Sequence, residues 1–526
     1  MSELRKSLLI SFLNKYSILV ITIISSMIIA RLLSPKEIGV FSVGAALIGI
    51  AHTVRDFGVS NYLIQEKQIN NEKIRSAFTL TLMMAWSIAS LLLLSKGFIA
   101  EFYNQGELKI IIMILAGNFF ILPFNSVSIA LLKREMQFST LYKITTISAL
   151  IQAITVISLA LLGFSFYSLA WGGLANVLVT LLITQSTKPG FLYFSLSLNE
   201  IKPILNFGAN LSLSSLAFEA GNFAPDLIIG KLLGFTSVGV FSRAQGFVSI
   251  IEQTITDAIR PILLPYFSKE NRNGREIKTP FLKLANYYLA VTLPLLGLIA
   301  ILAYPMIRLL YGYQWDSAVP ITQMLCIGIA FKSLNFLMSS AILSLGQAKK
   351  VMTAQVSYQF MRISAISYGA FHGLLMIAYC LSAVELVGFF IFHSKMKSLQ
   401  INLKNVLIPF FKNAYLMILV TIPALISYLI QVNFDSIIQI SDQRRLLQAL
   451  NELHFMPINF SQLDNLRLIA IPSFLALVTW MITIQVINQE LWIELTQAMN
   501  SMKFYFQKFQ NKNNPNGKKK SNKRYL

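Results

Sequence analysis

Ala30-Arg31-Leu32-Leu33-Ser34-Pro35-Lys36-Glu37-Ile38-Gly39-Val40-Phe41-Ser42 returns two hundred residues later as Gly230-Lys231-Leu232-Leu233-Gly234-Phe235-Thr236-Ser237-Val238-Gly239-Val240-Phe241-Ser242. Both copies read as a tight turn between two apolar helices, with a basic residue near the helix end and a small residue at the turn. Six apolar spans separate the copies. An even number of crossings returns the chain to the same side, so the repeats share one orientation and predict two parallel six-helix lobes.

Composition sets the solvent for these helices. Of the 526 residues, 55% are hydrophobic and 13% charged, and the mean hydropathy is +0.62. A soluble domain carries about 25% charged residues, so a bilayer must receive most of this apolar surface. Runs of about 20 apolar residues, the length that crosses a hydrocarbon core, recur along nearly the whole chain. The expected fold is therefore an all-α polytopic membrane protein of about fourteen spans, in two lobes plus two C-terminal helices. The expected divisions are 1–190, 191–400, 401–490 with an outer loop, and a basic tail over 491–526.

The net charge of +21 follows the same logic. Most basic residues fall in loops on one side, as in Lys269, Arg272, Arg275, Lys278 and Lys283, and in the tail around Lys518-Lys519-Lys520. The positive-inside rule places both termini in the cytoplasm. Attraction to anionic headgroups accounts for the tail without nucleic acid. Cys326 and Cys380 lie in apolar runs and read as packing residues, not as a disulfide framework or a metal site. No H-E-x-x-H, Walker A, G-x-S-x-G or G-x-G-x-x-G pattern occurs, so the chain points to neither an enzyme nor an ATP-driven pump, and to no cofactor.

Ionisable residues inside spans cost about 2.5–3.5 kcal/mol each on insertion scales and so call for a partner or a polar cavity. Five cations sit there: Lys15, Arg55, Arg260, Lys332 and Arg362. Glu219, Asn222 and Asp226 share one helical face, Asp257 and Arg260 another, and Gln355, Gln359 and Arg362 a third. Lys332 with Asn335 adds a fourth polar stripe, while Glu385 has no partner in sequence. The cations favour an anionic guest. The charged faces could equally lock helices together. Asn118, Asn125, Gln152 and Asn176 are uncharged and read as hydrogen-bonding glue between helices.

These residues have a familiar order. Ile29-Ala30-Arg31-Leu32-Leu33-Ser34-Pro35-Lys36-Glu37-Ile38-Gly39-Val40-Phe41, followed by Asp56-Phe57-Gly58-Val59-Ser60, resembles the N-terminal signature of Wzx-type oligosaccharide flippases. Those form the polysaccharide transporter branch of the multidrug/oligosaccharidyl-lipid/polysaccharide exporter superfamily. Leu309-Leu310-Tyr311-Gly312-Tyr313-Gln314-Trp315 and Leu343-Ser344-Leu345-Gly346-Gln347 are similar to the same family at matching order, so the resemblance covers about residues 5–400.

The resemblance implies alternating access between two lobes and the flipping of undecaprenyl-pyrophosphate-linked oligosaccharides across a bacterial inner membrane for surface polysaccharide synthesis. It implies as partners the lipid-linked oligosaccharide, membrane lipids, and the polysaccharide polymerase and chain-length machinery. On this reading Arg55, Arg260, Lys332, Arg362 and Lys15 are anion contacts, and Glu219, Asp226 and Asp257 are candidates for ion coupling. None of these residues lies in the matching motifs; their roles follow from burial alone. A multidrug or cation antiporter of the same superfamily is the alternative.

Overall fold

The computed structural model describes residues 3–187, 195–274, 276–439, 460–488 and 491–497, and these contain helices and no strand. The first lobe runs through α1 (Glu3–Leu32), α2 (Pro35–Asp56), α3 (Val59–Gln65), α4 (Asn71–Phe102), α5 (Leu108–Ile121), α6 (Pro123–Arg134), α7 (Phe138–Leu161) and α8 (Tyr167–Thr187). The second comprises α9 (Ile201–Leu232), α10 (Phe235–Arg272), α11 (Lys278–Tyr311), α12 (Ala318–Ser344), α13 (Ala348–Ala370) and α14 (Leu374–Lys395). Helices α15 (Leu403–Gln439) and α16 (Phe460–Ile487) follow. Residues 498–526 of the basic tail and 440–459 of the loop before α16 lie outside the described residues.

Among the described residues ten helices are long and apolar enough to cross a membrane, and α5 with α6, bent by 53°, makes an eleventh. The bend falls at Pro123, which has no amide hydrogen to continue the ladder. Helices α9, α10 and α13 are as long, but they carry the intramembrane charges and so fall short on apolarity. With them the architecture is compatible with fourteen crossings.

The chain divides into two compact units, Met1–Asn273 with Ala303–Ser398, and Gly274–Leu302 with Leu399–Leu526. In the first unit, α2 packs along both α9 and α10, α1 along α7, and α12 along α10 and α14. The repeated turns start α2 and α10. Ser34 caps α2 reciprocally with Glu37, whose carboxylate accepts from the Ser34 amide at 2.7 Å, and Pro35 opens the helix. At the equivalent place Gly234 turns with φ +81°, a conformation that favours glycine.

Helices α2 and α10 cross at these N-terminal ends as a near-dyad. A Cβ on Gly39 would overlap the Phe235 carbonyl, and one on Gly239 would overlap the Pro35 carbonyl. Ser42 and Ser242 face each other at 3.2 Å between hydroxyls. The basic residues of the repeat, expected to serve their own helix ends, reach instead into the opposite lobe. The Arg31 guanidinium donates to the Leu309 carbonyl at 2.6 Å, while the Lys231 ammonium donates to the Phe102 carbonyl and sits 4.3 Å from that residue's ring centroid. Leu309 and Phe102 close the third long helix of their respective lobes, so the two contacts are equivalent. Trp315 and Gln314 also donate to the Ala30 carbonyl, satisfying backbone that the end of α1 leaves open.

The second unit has its own core, with Leu416, Val420 and Ala424 of α15 packed with Ala476 and Ile484 of α16 and with Ala290 of α11. Three asparagines join its helices: Asn413 donates to Asn286 at 2.8 Å and Asn286 to Asn488 at 3.0 Å. Trp480 donates to the Ala290 carbonyl at 2.9 Å. Such amide chains hold apolar helices in register where hydrophobicity gives no preference.

Candidate functional site

A cavity of about 670 Å³ opens among α9, α10, α12, α13 and α14. It gathers residues that the sequence places on four separate helical faces: Glu219, Asn222 and Asp226 from α9; Asp257 and Arg260 from α10; Lys332 and Asn335 from α12; Gln355, Gln359 and Arg362 from α13. Helical spacing of three, four and seven residues brings each set to one side. Glu385 from α14 completes the wall.

Its charge differs from the cation-rich chamber expected from sequence. Among the described residues lining it, Arg260, Lys332 and Arg362 face five carboxylates, Glu219, Asp226, Glu252, Asp257 and Glu385. Glu252 went unread, although it shares a face with Thr256 and Arg260 at a spacing of four. Its carboxylate accepts from Lys332 at 3.0 Å and its side chain is 13% exposed. Glu385 also gains partners that its own helix could not supply. The Tyr358 hydroxyl donates to it at 2.5 Å, and Arg362, buried beside Tyr358, lies within its electrostatic reach. Several buried polar atoms here have no partner among the described residues: both amide atoms of Gln359, Asn335 Oδ1, Arg362 Nε and Glu385 Oε2. Buried polar atoms are normally satisfied, so the packing behind this wall is unusually polar for a membrane interior.

Arg55 stands elsewhere. It lines a second cavity, of about 510 Å³, among α1, α2, α6, α7 and α8 of the first lobe, whose lining residues do not overlap with those of the first cavity. The reason is α2, which runs between them: Gly49 brings its backbone against the Phe223 ring of α9, and Phe223 lines the second-lobe cavity. Arg55 is 7% exposed and pairs through Nη2 with Asp56, while Nε and Nη1 are buried with no partner among the described residues. The other lining groups are mostly neutral, including Asn125, Gln152 and Asn176. Asn125 does join helices, donating to the Val177 carbonyl at 3.1 Å, but its Oδ1 is buried and unpartnered. Gln152 and Asn176, expected to join helices, line the cavity wall, as does Lys133.

Lys15 belongs to neither wall. From α1 it pairs across the lobes with Asp257 of α10, which Arg260 also approaches at 3.7 Å. Asp257 lies more than 20 residues along α10 from the turn, so this bridge joins the lobes toward the end opposite the α2/α10 crossing. Its side chains are 45% and 30% exposed.

Two helical lobes joined by a near-dyad and enclosing polar cavities within an apolar body define a multi-pass membrane transporter scaffold. Comparison with known proteins agrees. Residues 28–320 match the model of the family described as polysaccharide biosynthesis protein, and the chain belongs to that family. It is 24% identical over 351 residues to the lipopolysaccharide biosynthesis protein WzxC of Escherichia coli K12, covering 65% of this chain and 70% of that one. The succinoglycan biosynthesis transport protein ExoT of Rhizobium meliloti 1021 is 26% identical over 396 residues, covering 72% and 78%. Among solved structures, the lipid II flippase MurJ in an inward closed conformation matches with a TM-score of 0.69 at 13% identity, over 91% of this chain and 99% of that one. An inward-facing multidrug resistance MATE family transporter of the MOP superfamily matches at 0.56 and 17% identity, over 72% and 94%. At such identities the structural matches speak for the fold.

Proposed function

We propose that this protein flips lipid-linked oligosaccharide repeat units, carried on undecaprenyl pyrophosphate, across a bacterial cytoplasmic membrane for surface polysaccharide synthesis. The lobes 1–190 and 191–400 alternate access to the guest, and both termini face the cytoplasm, as the basic loops require. The observation that carries the reading is the pair of interlobe contacts within a fold of the polysaccharide biosynthesis family: a small-residue crossing at one end and a partly exposed ion pair toward the other. The first can seal the outer face while the second opens and closes the cytoplasmic one.

In this scheme Arg260, Lys332 and Arg362 meet the pyrophosphate, Arg55 meets an acidic or hydroxyl oxygen in the first lobe, and Lys15 releases Asp257 as the guest's anion arrives. Guest phosphate competes with Asp257 for the same two cations, which couples binding to opening. Glu219, Asp226 and Asp257 serve ion coupling. The carriage of guest to a polymerase and chain-length machinery follows from the pathway's chemistry, since a flipped repeat unit must next be joined to others. The protein acts as a transporter and not as an enzyme.

One observation favours a second reading, a cation or drug antiporter: carboxylates outnumber cations in the second-lobe cavity. Deletion separates the two. A flippase deletion leaves lipid-linked repeat units facing the cytoplasm and depletes surface polysaccharide. Normal outer-leaflet delivery, with altered resistance to cationic dyes, overturns flipping in favour of the antiporter.

A further inference from the structure

The first-lobe cavity differs in chemistry from everything the pyrophosphate would require. Asp56 neutralises Arg55, which leaves Lys133 as the single unbalanced charge among the described residues lining it. The rest of the polar wall is amide and hydroxyl. Thr180 donates to Ser148 at 2.9 Å, and the Asn125 amide nitrogen is anchored on α8, so these groups are held in place before any guest arrives. The wall also takes amide groups from Asn125, Gln152 and Asn176 and hydroxyls from Ser60, Ser126 and Thr145, with Arg55 among them.

An apolar lipid chain placed here would take lining amides and hydroxyls such as those of Gln152 and Asn176 out of water without a hydrogen bond, at about 1–3 kcal/mol each. A phosphate dianion would meet acceptor oxygens and Asp56 with only Lys133 unopposed. Sugar rings fit, because each hydroxyl both donates and accepts and can satisfy a fixed mixture of amide, hydroxyl and guanidinium groups. The volume lies within the range of small-ligand pockets.

We propose that this first-lobe cavity is a carbohydrate subsite: it takes sugar residues by hydroxyl contacts with Arg55, Asn125, Gln152 and Asn176, apart from the charged second-lobe cavity. The sugar's attachment to a lipid rests on the flippase reading, whereas binding of free sugar does not.

The test uses the full-length protein in nanodiscs with three probes: N,N′-diacetylchitobiose, lactose and inorganic pyrophosphate. Saturation-transfer NMR reports sugar contact and calorimetric titration reports pyrophosphate. At least one disaccharide receives saturation from the wild type. Gln152→Ala with Asn176→Ala weakens that binding about five- to tenfold, the loss of one or two hydrogen bonds, at an unchanged melting temperature and with pyrophosphate binding intact. Asn176→Ser, a smaller change, shows an intermediate loss if the double variant unfolds. Lys332→Gln in the second lobe leaves the sugar signal as it was and weakens pyrophosphate. The proposal is overturned if neither disaccharide receives saturation, if the signal survives the first-lobe variants, or if Lys332→Gln removes it equally. Vesicle flipping assays run on the same variants separate the two ideas: sugar binding without flipping sinks the transport reading alone, and flipping without sugar binding sinks this one alone.

Discussion

Arg31 and Lys231 occupy the same place in the two copies of the repeat and make the same contact, each reaching the final carbonyls of the other lobe's third long helix. Gly39 and Gly239, and Ser42 and Ser242, keep that equivalence. Farther along the same helices it is gone. At the same offset, His52 of α2 corresponds to Glu252 of α10, and Arg55 and Asp56 correspond to Ile255 and Thr256. One lobe consequently has a mainly neutral hydrogen-bonding cavity and the other a cavity of opposed charges. The duplicated sequence is retained where two backbones touch, because a Cβ at Gly39 or Gly239 would overlap a carbonyl of the other lobe and the cations beside them reach carbonyls there. It diverges where side chains face a cavity and backbone geometry imposes nothing.

The strongest way to break this contrast is to unbalance the charged lobe. Glu385→Ala takes the acceptor from the buried Tyr358 hydroxyl and a nearby carboxylate from Arg362, a loss of about 3 kcal/mol, measured by denaturant unfolding in nanodiscs; the double variant with Arg362→Ala recovers part of it. A simple sum of the single effects would mean that the two groups do not share one network.

Next in size is the crossing itself. Gly39→Leu and Gly239→Leu each force side-chain volume against a carbonyl of the other lobe, costing about 1–3 kcal/mol or more. The near-dyad predicts equal losses in melting temperature for the two. A large effect at one and none at the other removes the argument for equivalence.

Exposure then sorts the second-lobe arginines. Arg260 has a side chain 65% exposed, so Arg260→Ala lowers transport while the yield of folded protein stays near normal. Arg362→Ala lowers both, because its guanidinium is buried with Tyr358 and Glu385. Equal losses of folded protein in the two variants would make both residues structural.

The smallest stability effect belongs to the interlobe pair. Lys15→Ala or Asp257→Ala changes stability by no more than about 1 kcal/mol, as for other exposed pairs, yet alters the transport rate. The swap Lys15→Asp with Asp257→Lys restores it. A rate indifferent to all three variants would leave the bridge without a role in opening.

Much of this was legible in the chain. The repeat gave parallel lobes, hydropathy gave the spans, and helical spacing sorted Glu219, Asn222 and Asp226 or Gln355, Gln359 and Arg362 onto shared faces. Helical periodicity works within one helix and is silent between helices. It could not pair Lys15 with a residue 242 positions away, supply Glu385 with Tyr358, or send Arg31 to a carbonyl in the other lobe. Nor could it separate Arg55 from the other cations, since that depends on α2 lying between the cavities. Glu252, at a spacing of four from Thr256, meets Lys332 and makes the interior less cationic than the five basic residues alone suggest.

For a guest to leave, the lobes must part where α2 meets α10. Ser42→Cys with Ser242→Cys places two thiols where hydroxyls now stand 3.2 Å apart. In proteoliposomes carrying a fluorescent lipid-linked oligosaccharide, oxidation of this variant should stop leaflet exchange and reduction should restore it, with the melting temperature unchanged or raised. Exchange at the same rate with the disulfide formed would contradict the account.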